Sequence, residues 1–161
     1  MKQVQAILKN DANKEAVDFL TQVGADEIIP WQSQHCIGKF DDKSLRKWQS
    51  AARESSRQSR RVRIPVISDA YSTESMISKI KGLQNIFVLH ESADNRLSQI
   101  EINQEANVIL IVGPEGGLSE IEINAFVTAG AKIVRLGESV LRAANAGAAA
   151  ASVVMSRTGK W

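Results

Sequence analysis

The stretch Val108 to Ala151, VILIVGPEGGLSEIEINAFVTAGAKIVRLGESVLRAANAGAAAA, constrains the fold more than any other part of the chain. It opens on an unbroken apolar run, Val108 to Val112, short enough for a strand buried on both faces. The run breaks at Gly113-Pro114-Glu115-Gly116-Gly117, so a glycine turn leaves the end of a strand. Ser119, with Glu122 three places on, makes a capping box, and Ile123, Phe126 and Val127 supply a helical apolar stripe that stops at Gly130. A second strand, Lys132 to Leu136, ends in another glycine-centred loop, Gly137 to Arg142, before an alanine-rich helix. Strand, loop, helix, strand, loop, helix predicts an α/β domain with a mainly parallel sheet and helices on both faces.

Loops at the carboxyl ends of parallel strands bind ligands in open α/β sheets, because backbone amides there face a crevice. The two glycine loops are therefore candidates for a cofactor cradle, against the plainer reading of tight turns. Neither G-x-G-x-x-G nor G-K-[ST] occurs in them, so neither NAD nor ATP is indicated.

The rest of the chain continues the alternation. Val4, Ala6, Ile7 and Leu8 suggest a first strand, and a helix follows from Asn10 or Asp11 to a stop at Gly24. Glu27 to Trp31 reads as a second strand closed by Pro30, and Ile64 to Ile67 as an edge strand, given Pro65. Ser72 or Thr73 can cap a helix carrying Met76, Ile77 and Ile80, which Gly82 ends. Asn85 to Leu89 is a further strand ending at His90-Glu91, and Ser92 to Asn107 is polar, a loop with a short helix. Side chains of His35 and Cys36, adjacent in an extended segment, point apart with no third ligand nearby, which favours a partly buried pair over a metal or nucleophile site. His90 reads as a structural hydrogen-bonder before a general base.

A single cysteine excludes an internal disulfide and fits a reducing cytoplasm, and no apolar run approaches the length of a membrane span. At 161 residues the chain is one domain with enough material for a core. Its net charge of +2 hides a local excess: Lys39 to Arg63 carries nine Lys or Arg against three acids. A helix starting at Asp41 or Asp42 and running to about Arg60 places Arg46, Arg53, Arg57 and Arg60 within roughly 60° of one another, opposite Leu45, Trp48 and Ala52. A row of like charges with only Glu54 to offset it favours contact with an RNA backbone over a merely solvated face, and Arg61 extends the row.

Val112-Gly113-Pro114-Glu115-Gly116-Gly117-Leu118-Ser119, followed by Leu136-Gly137-Glu138-Ser139-Val140-Leu141-Arg142, resembles the signature of the RsmE-type 16S ribosomal RNA (uracil-N3) methyltransferases of the SPOUT superfamily. Val23 to Trp31, Arg46-Lys47-Trp48, Arg53 to Arg61 and Leu89-His90-Glu91 match in the same order, so the resemblance spans nearly the whole chain. It implies a C-terminal trefoil knot, a homodimer, and S-adenosyl-L-methionine held by three loops: Leu89, His90 and Glu91; Gly113, Pro114, Glu115, Gly116 and Gly117; Leu136, Gly137, Ser139, Val140 and Leu141. It further implies methyl transfer to N3 of a uridine in the small ribosomal subunit. Uridine N3 must lose its proton, so an anion has to be stabilised; Arg142 is the candidate, with a salt bridge to Glu115 or Glu138 as the alternative.

Two departures stand out. Members of that family commonly carry Thr-Glu-Thr or a similar hydroxyl-bearing segment after the Leu-Arg pair, where this chain has Ala143-Ala144-Asn145. Members also carry an N-terminal PUA-type β-barrel, and this chain begins about where that domain would end. The first departure keeps open a non-catalytic RNA-binding dimer of the same fold, and transfer to a different RNA atom is a third reading.

Overall fold

The computed structural model describes all 161 residues. Seven strands form one sheet in which every pairing is parallel. They are β1 (Lys2–Ala6), β2 (Glu27–Gln32), β3 (Val66–Ile67), β4 (Tyr71–Ser72), β5 (Ile86–Leu89), β6 (Ile109–Val112) and β7 (Lys132–Val134). The order across the sheet is β3-β2-β1-β6-β5-β7, with β4 pairing β2 beyond the end of β3.

Five helices cover both faces, as two separate apolar clusters record. On one face α1 (Ala12–Val23), α2 (Asp42–Gln58) and α5 (Ala143–Arg157) bury Leu20, Trp48, Ala150 and Val154 against Ile28, Phe87 and Leu110. On the other, α3 (Thr73–Ile80) and α4 (Glu120–Thr128) bury Met76, Ile80 and Phe126 against Ile29, Trp31, Val88 and Ile111. Alternate strand residues therefore face opposite helical layers, and β6 is apolar throughout because both its sides are covered.

Local chemistry sets the helix ends. Asp41 and Ser72 accept from the backbone N–H groups of Ser44 and Ser75, and the Ser119–Glu122 capping box is formed in both directions. Gly24, at φ 104°, ends α1 as the sequence predicts. Val127, assigned to the apolar stripe of α4, is instead half exposed.

Three expectations are corrected. Pro30 does not close β2 but sits inside it, in register with Gln5. The carbonyl of Ile28 accepts from Ser68 on the outer side, so two residues on the ring nitrogen of Pro30 faces the interruption between β3 and β4, where no donor is required. Arg60 lies past the end of α2 with φ 54°, off the helical row. Residues 92–107 contain no helix; a single bridge from Arg96 to Arg135 ties them to the edge beyond β7.

Candidate active site

The strand order decides where the site lies. From β5 the chain steps inward to β6, beside β1, and then outward past β5 to β7, so the loops leaving β5, β6 and β7 converge at one end of the sheet. They enclose a cavity of about 770 Å³, within the 300–1,000 Å³ range typical of small-molecule sites. All thirteen residues assigned to cofactor loops from sequence line it: Leu89, His90 and Glu91, Gly113 to Gly117, and Leu136, Gly137, Ser139, Val140 and Leu141. Ala12 and Glu15 of α1, Arg135, and the first turn of α5 complete the wall.

The glycines have steric work here. A Cβ on Gly113 would stand 3.1 Å from Leu118 Cγ, and one on Gly116 would stand 3.2 Å from His35 Cβ. Gly117 has φ +73°, which a side chain strains. Along 136–141 no backbone hydrogen bond joins the loop to the rest of the chain, so its amides and carbonyls remain available to a ligand. By contrast the His90 amide donates to Val134, and its Nδ1 accepts from the Ser92 amide, a structural role.

Arg142 occupies the N-cap of α5 at the cavity wall, exposed and without a hydrogen bond or ion pair from its guanidinium. Both acids considered as its partners are engaged elsewhere: Glu138 pairs with Arg96, and Glu115 accepts from the Lys9 amide. Ala143 and Ala144 line the wall beside it, presenting methyl groups, while Asn145 is exposed.

The arginines separate by role. Arg46, Arg53 and Arg57 are exposed along α2, and Arg60 is exposed just beyond it. Arg61 turns inward: its Nη1 donates to the carbonyls of Thr21 at 2.8 Å and Ala25 at 2.9 Å, which closes the end of α1. That guanidinium is a structural tie and not part of an outward row. Cys36 is half-buried, and burial pushes its thiol above the usual range, which suppresses the nucleophilic thiolate. His35 is exposed, not partly buried as read from the sequence.

Sequence reasoning missed Glu15 and Arg135 as cavity residues, and it saw only half of Glu122. The charge of Arg135 directly after the apolar Ile133-Val134 is a signal that a strand end meets a polar site. For Glu15 the sequence holds no such signal. Glu122 completes the capping box as read but also reaches two distant segments, a matter of tertiary contact.

A parallel sheet with a glycine-walled cavity over three adjacent strand ends defines a ligand-binding α/β domain. The chain belongs to the family described as RNA methyltransferase domain, whose profile matches residues 1–155. It is 37% identical over 166 aligned positions to the ribosomal RNA small subunit methyltransferase E of Mycobacterium bovis, covering 98% of this chain and 63% of that protein. The chain thus spans less than two thirds of that relative. The crystal structure of ribosomal RNA small subunit methyltransferase E from Neisseria gonorrhoeae bound to S-adenosyl methionine superposes with a TM-score of 0.89 at 25% identity, over 97% of this chain and 65% of that one. The SpoU methyltransferase AviRb of Streptomyces viridochromogenes, at 18% identity and a TM-score of 0.66 over all of this chain and 61% of its own, shares the fold.

Proposed function

We propose that this chain is the S-adenosylmethionine-binding catalytic domain of a ribosomal RNA methyltransferase that acts on N3 of a uridine in the small subunit. The observation that carries the reading is the convergence of three loops, matched to the family's signature, around one cavity of ligand size. The fit is physical: Gly113 and Gly116 leave room for Leu118 and His35 to pack against the loop, Gly117 supplies its left-handed turn, and the unpaired amides and carbonyls of 136–141 can read the edges of an adenine and a ribose. When bound, the cofactor supplies an electrophilic methyl group on a sulfonium.

The chain's own residues would then serve the acceptor. Arg142, exposed at the cavity wall and free of any acid, would hold the negative charge that develops on the uracil oxygens as N3 loses its proton. The N-terminus of α5, which lacks a side-chain cap, adds its unpaired amides and the positive end of the helix dipole on the same side. Arg46, Arg53, Arg57 and Arg60 would neutralise RNA phosphates. The finer features belong to the same reading: a C-terminal trefoil knot threading α5 through the cofactor loops, a homodimer, and work on ribosomal subunits in the cytoplasm. No helix of the chain is long and apolar enough to cross a membrane.

Calorimetric titration with S-adenosylmethionine tests the first step, with Gly116→Arg run in parallel because its side chain collides with His35. Saturable one-site binding lost in the variant supports the reading; no binding by folded protein refutes it. Incubation with small ribosomal subunits and mass-spectrometric mapping of the methylated atom then distinguishes N3 of uridine from a different target.

The methyl-lined wall at Ala143 and Ala144 favours a second reading, an RNA-binding domain of the same fold without transfer. Cofactor binding with no methylation, and gain of transfer when Thr and Glu are restored at 143 and 144, would select it.

A further inference from the structure

Glu122 is 3% exposed, and its carboxylate collects five donors from three separate parts of the chain. Oε1 accepts from the Gln34 amide at 2.8 Å and from Thr73 Oγ1 at 3.0 Å. Oε2 accepts from the Ser119 amide at 3.1 Å, and from the hydroxyls of Ser119 and Ser33, each at 3.3 Å. Only the two bonds to Ser119 belong to capping α4. The others fasten the segment after β2 and the start of α3 to the point where the glycine loop ends.

That segment is a strap. One residue past Gln34, His35 lies against the loop: its Nδ1 is 3.1 Å from the carbonyl of Gly117, and Gly116 packs so closely that no Cβ fits without displacing the ring's own Cβ. A carbonyl only accepts, so Nδ1 carries the proton in this contact. His35 itself is exposed and outside both major apolar clusters. Its contact contributes to the shape of residues 116–117, which face the cavity on their other side.

We infer that Glu122 and His35 are positioning residues: the carboxylate holds the strap 33–35, and the strap presses the glycine loop into the conformation that receives the cofactor. The inference rests on the cofactor reading above. Neither side chain lines the cavity, so any effect on binding is transmitted through Gly116 and Gly117. A loop that must order itself on binding loses affinity by the amount its ordering costs.

The test measures the dissociation constant for S-adenosylmethionine by calorimetry, alongside thermal melting, for wild type, His35→Ala, His35→Asn, Glu122→Gln and the double variant Glu122→Gln/His35→Ala. Loss of one neutral hydrogen bond in His35→Ala should weaken binding about threefold to tenfold with little change in melting temperature. His35→Asn, whose amide nitrogen can donate in place of Nδ1, should restore most of the affinity. Because the strap acts as a unit, the double variant should bind no more weakly than Glu122→Gln alone. Wild-type affinity in His35→Ala, or strictly additive losses in the double variant, would overturn the inference; if Glu122→Gln fails to fold, the two His35 variants decide it alone. Absence of binding in the wild type would instead remove the cofactor reading on which it stands.

Discussion

Arg142 and Glu122 show how two charged side chains of one chain are given opposite environments. Arg142 has no partner and remains exposed at the cavity wall, so its charge is available to a ligand. Arg142→Ala should lower kcat for methyl transfer by about a hundredfold or more while leaving the affinity for S-adenosylmethionine near wild type, in line with the loss of one donor to a developing anion. An equal loss of cofactor affinity would show that Arg142 holds the cofactor instead. Glu122 has its charge fully committed. Burial raises its carboxyl, but the amides of Gln34 and Ser119 and the hydroxyls of Thr73 and Ser33 more than offset that, so it lies below the usual range. A carboxyl depressed in the folded chain contributes stability that is complete above its unfolded value near 4.3 and is lost as pH falls through the folded one. Urea unfolding should find Glu122→Gln less stable than wild type by about 2–4 kcal/mol at pH 7, with the gap closing below about pH 4.

At the scale of elements, α2 and α5 carry different obligations. The outer face of α2 bears Arg46, Arg53 and Arg57 with no acid paired to them, and its inner face buries Trp48, Ala51 and Ala52. Reversing Arg53 and Arg57 to Glu should weaken binding of a ribosomal RNA fragment and flatten its salt dependence by about one unit of slope for each phosphate contact removed. Arg61→Ala should leave that slope unchanged and lower stability, since its donors hold Thr21 and Ala25. In α5, small residues permit close packing on α1 and β1: a Cβ at Gly147 would stand 3.2 Å from Gln3 Nε2 and Leu20 Cδ2, and 3.3 Å from Gln5 Oε1. Gly147→Val should therefore cost about 2–3 kcal/mol in urea unfolding, overpacking outweighing any gain in helix propensity.

These elements also show what periodicity can and cannot reveal. Apolar runs, capping residues and glycine stops are local signals, so β5, β6, α3 and α4 were readable nearly to the residue. The proline of β2 misled because its tolerance depends on a gap in a neighbouring strand forty residues away. Arg60 and Arg61 looked like a continuation of a helical row, yet Arg60 takes a left-handed turn that ends α2, with the Arg60 and Arg61 amides returning to the carbonyls of Arg57 and Ser56, and the Arg61 guanidinium is drawn to carbonyls at the end of α1. The cavity loops were legible because their residues match an ordered set of motifs; their meeting at one sheet end follows from strand order, which no short window contains.

For the molecule as a whole, the proposed cofactor binding would be linked to folding. A ligand present at a hundred times its dissociation constant adds about 2.7 kcal/mol to stability, so saturating S-adenosylmethionine should raise the melting temperature by about 5–11 °C, and Gly116→Arg should abolish the shift. Light scattering coupled to size exclusion should give twice the mass of one chain if the homodimer forms. The route to such a pair is limited by the sheet's outer margins. One margin is split into β3 and β4, two residues each, at the notch that Pro30 faces, and the other, β7, is three residues long and backed by the Arg96 bridge. Neither offers the run of unpaired backbone that a second sheet, or an aggregating strand, needs as a template. A sheet built wholly of parallel strands is thereby protected from growing into a fibre through its edges, and any lasting association must use helix faces and loops.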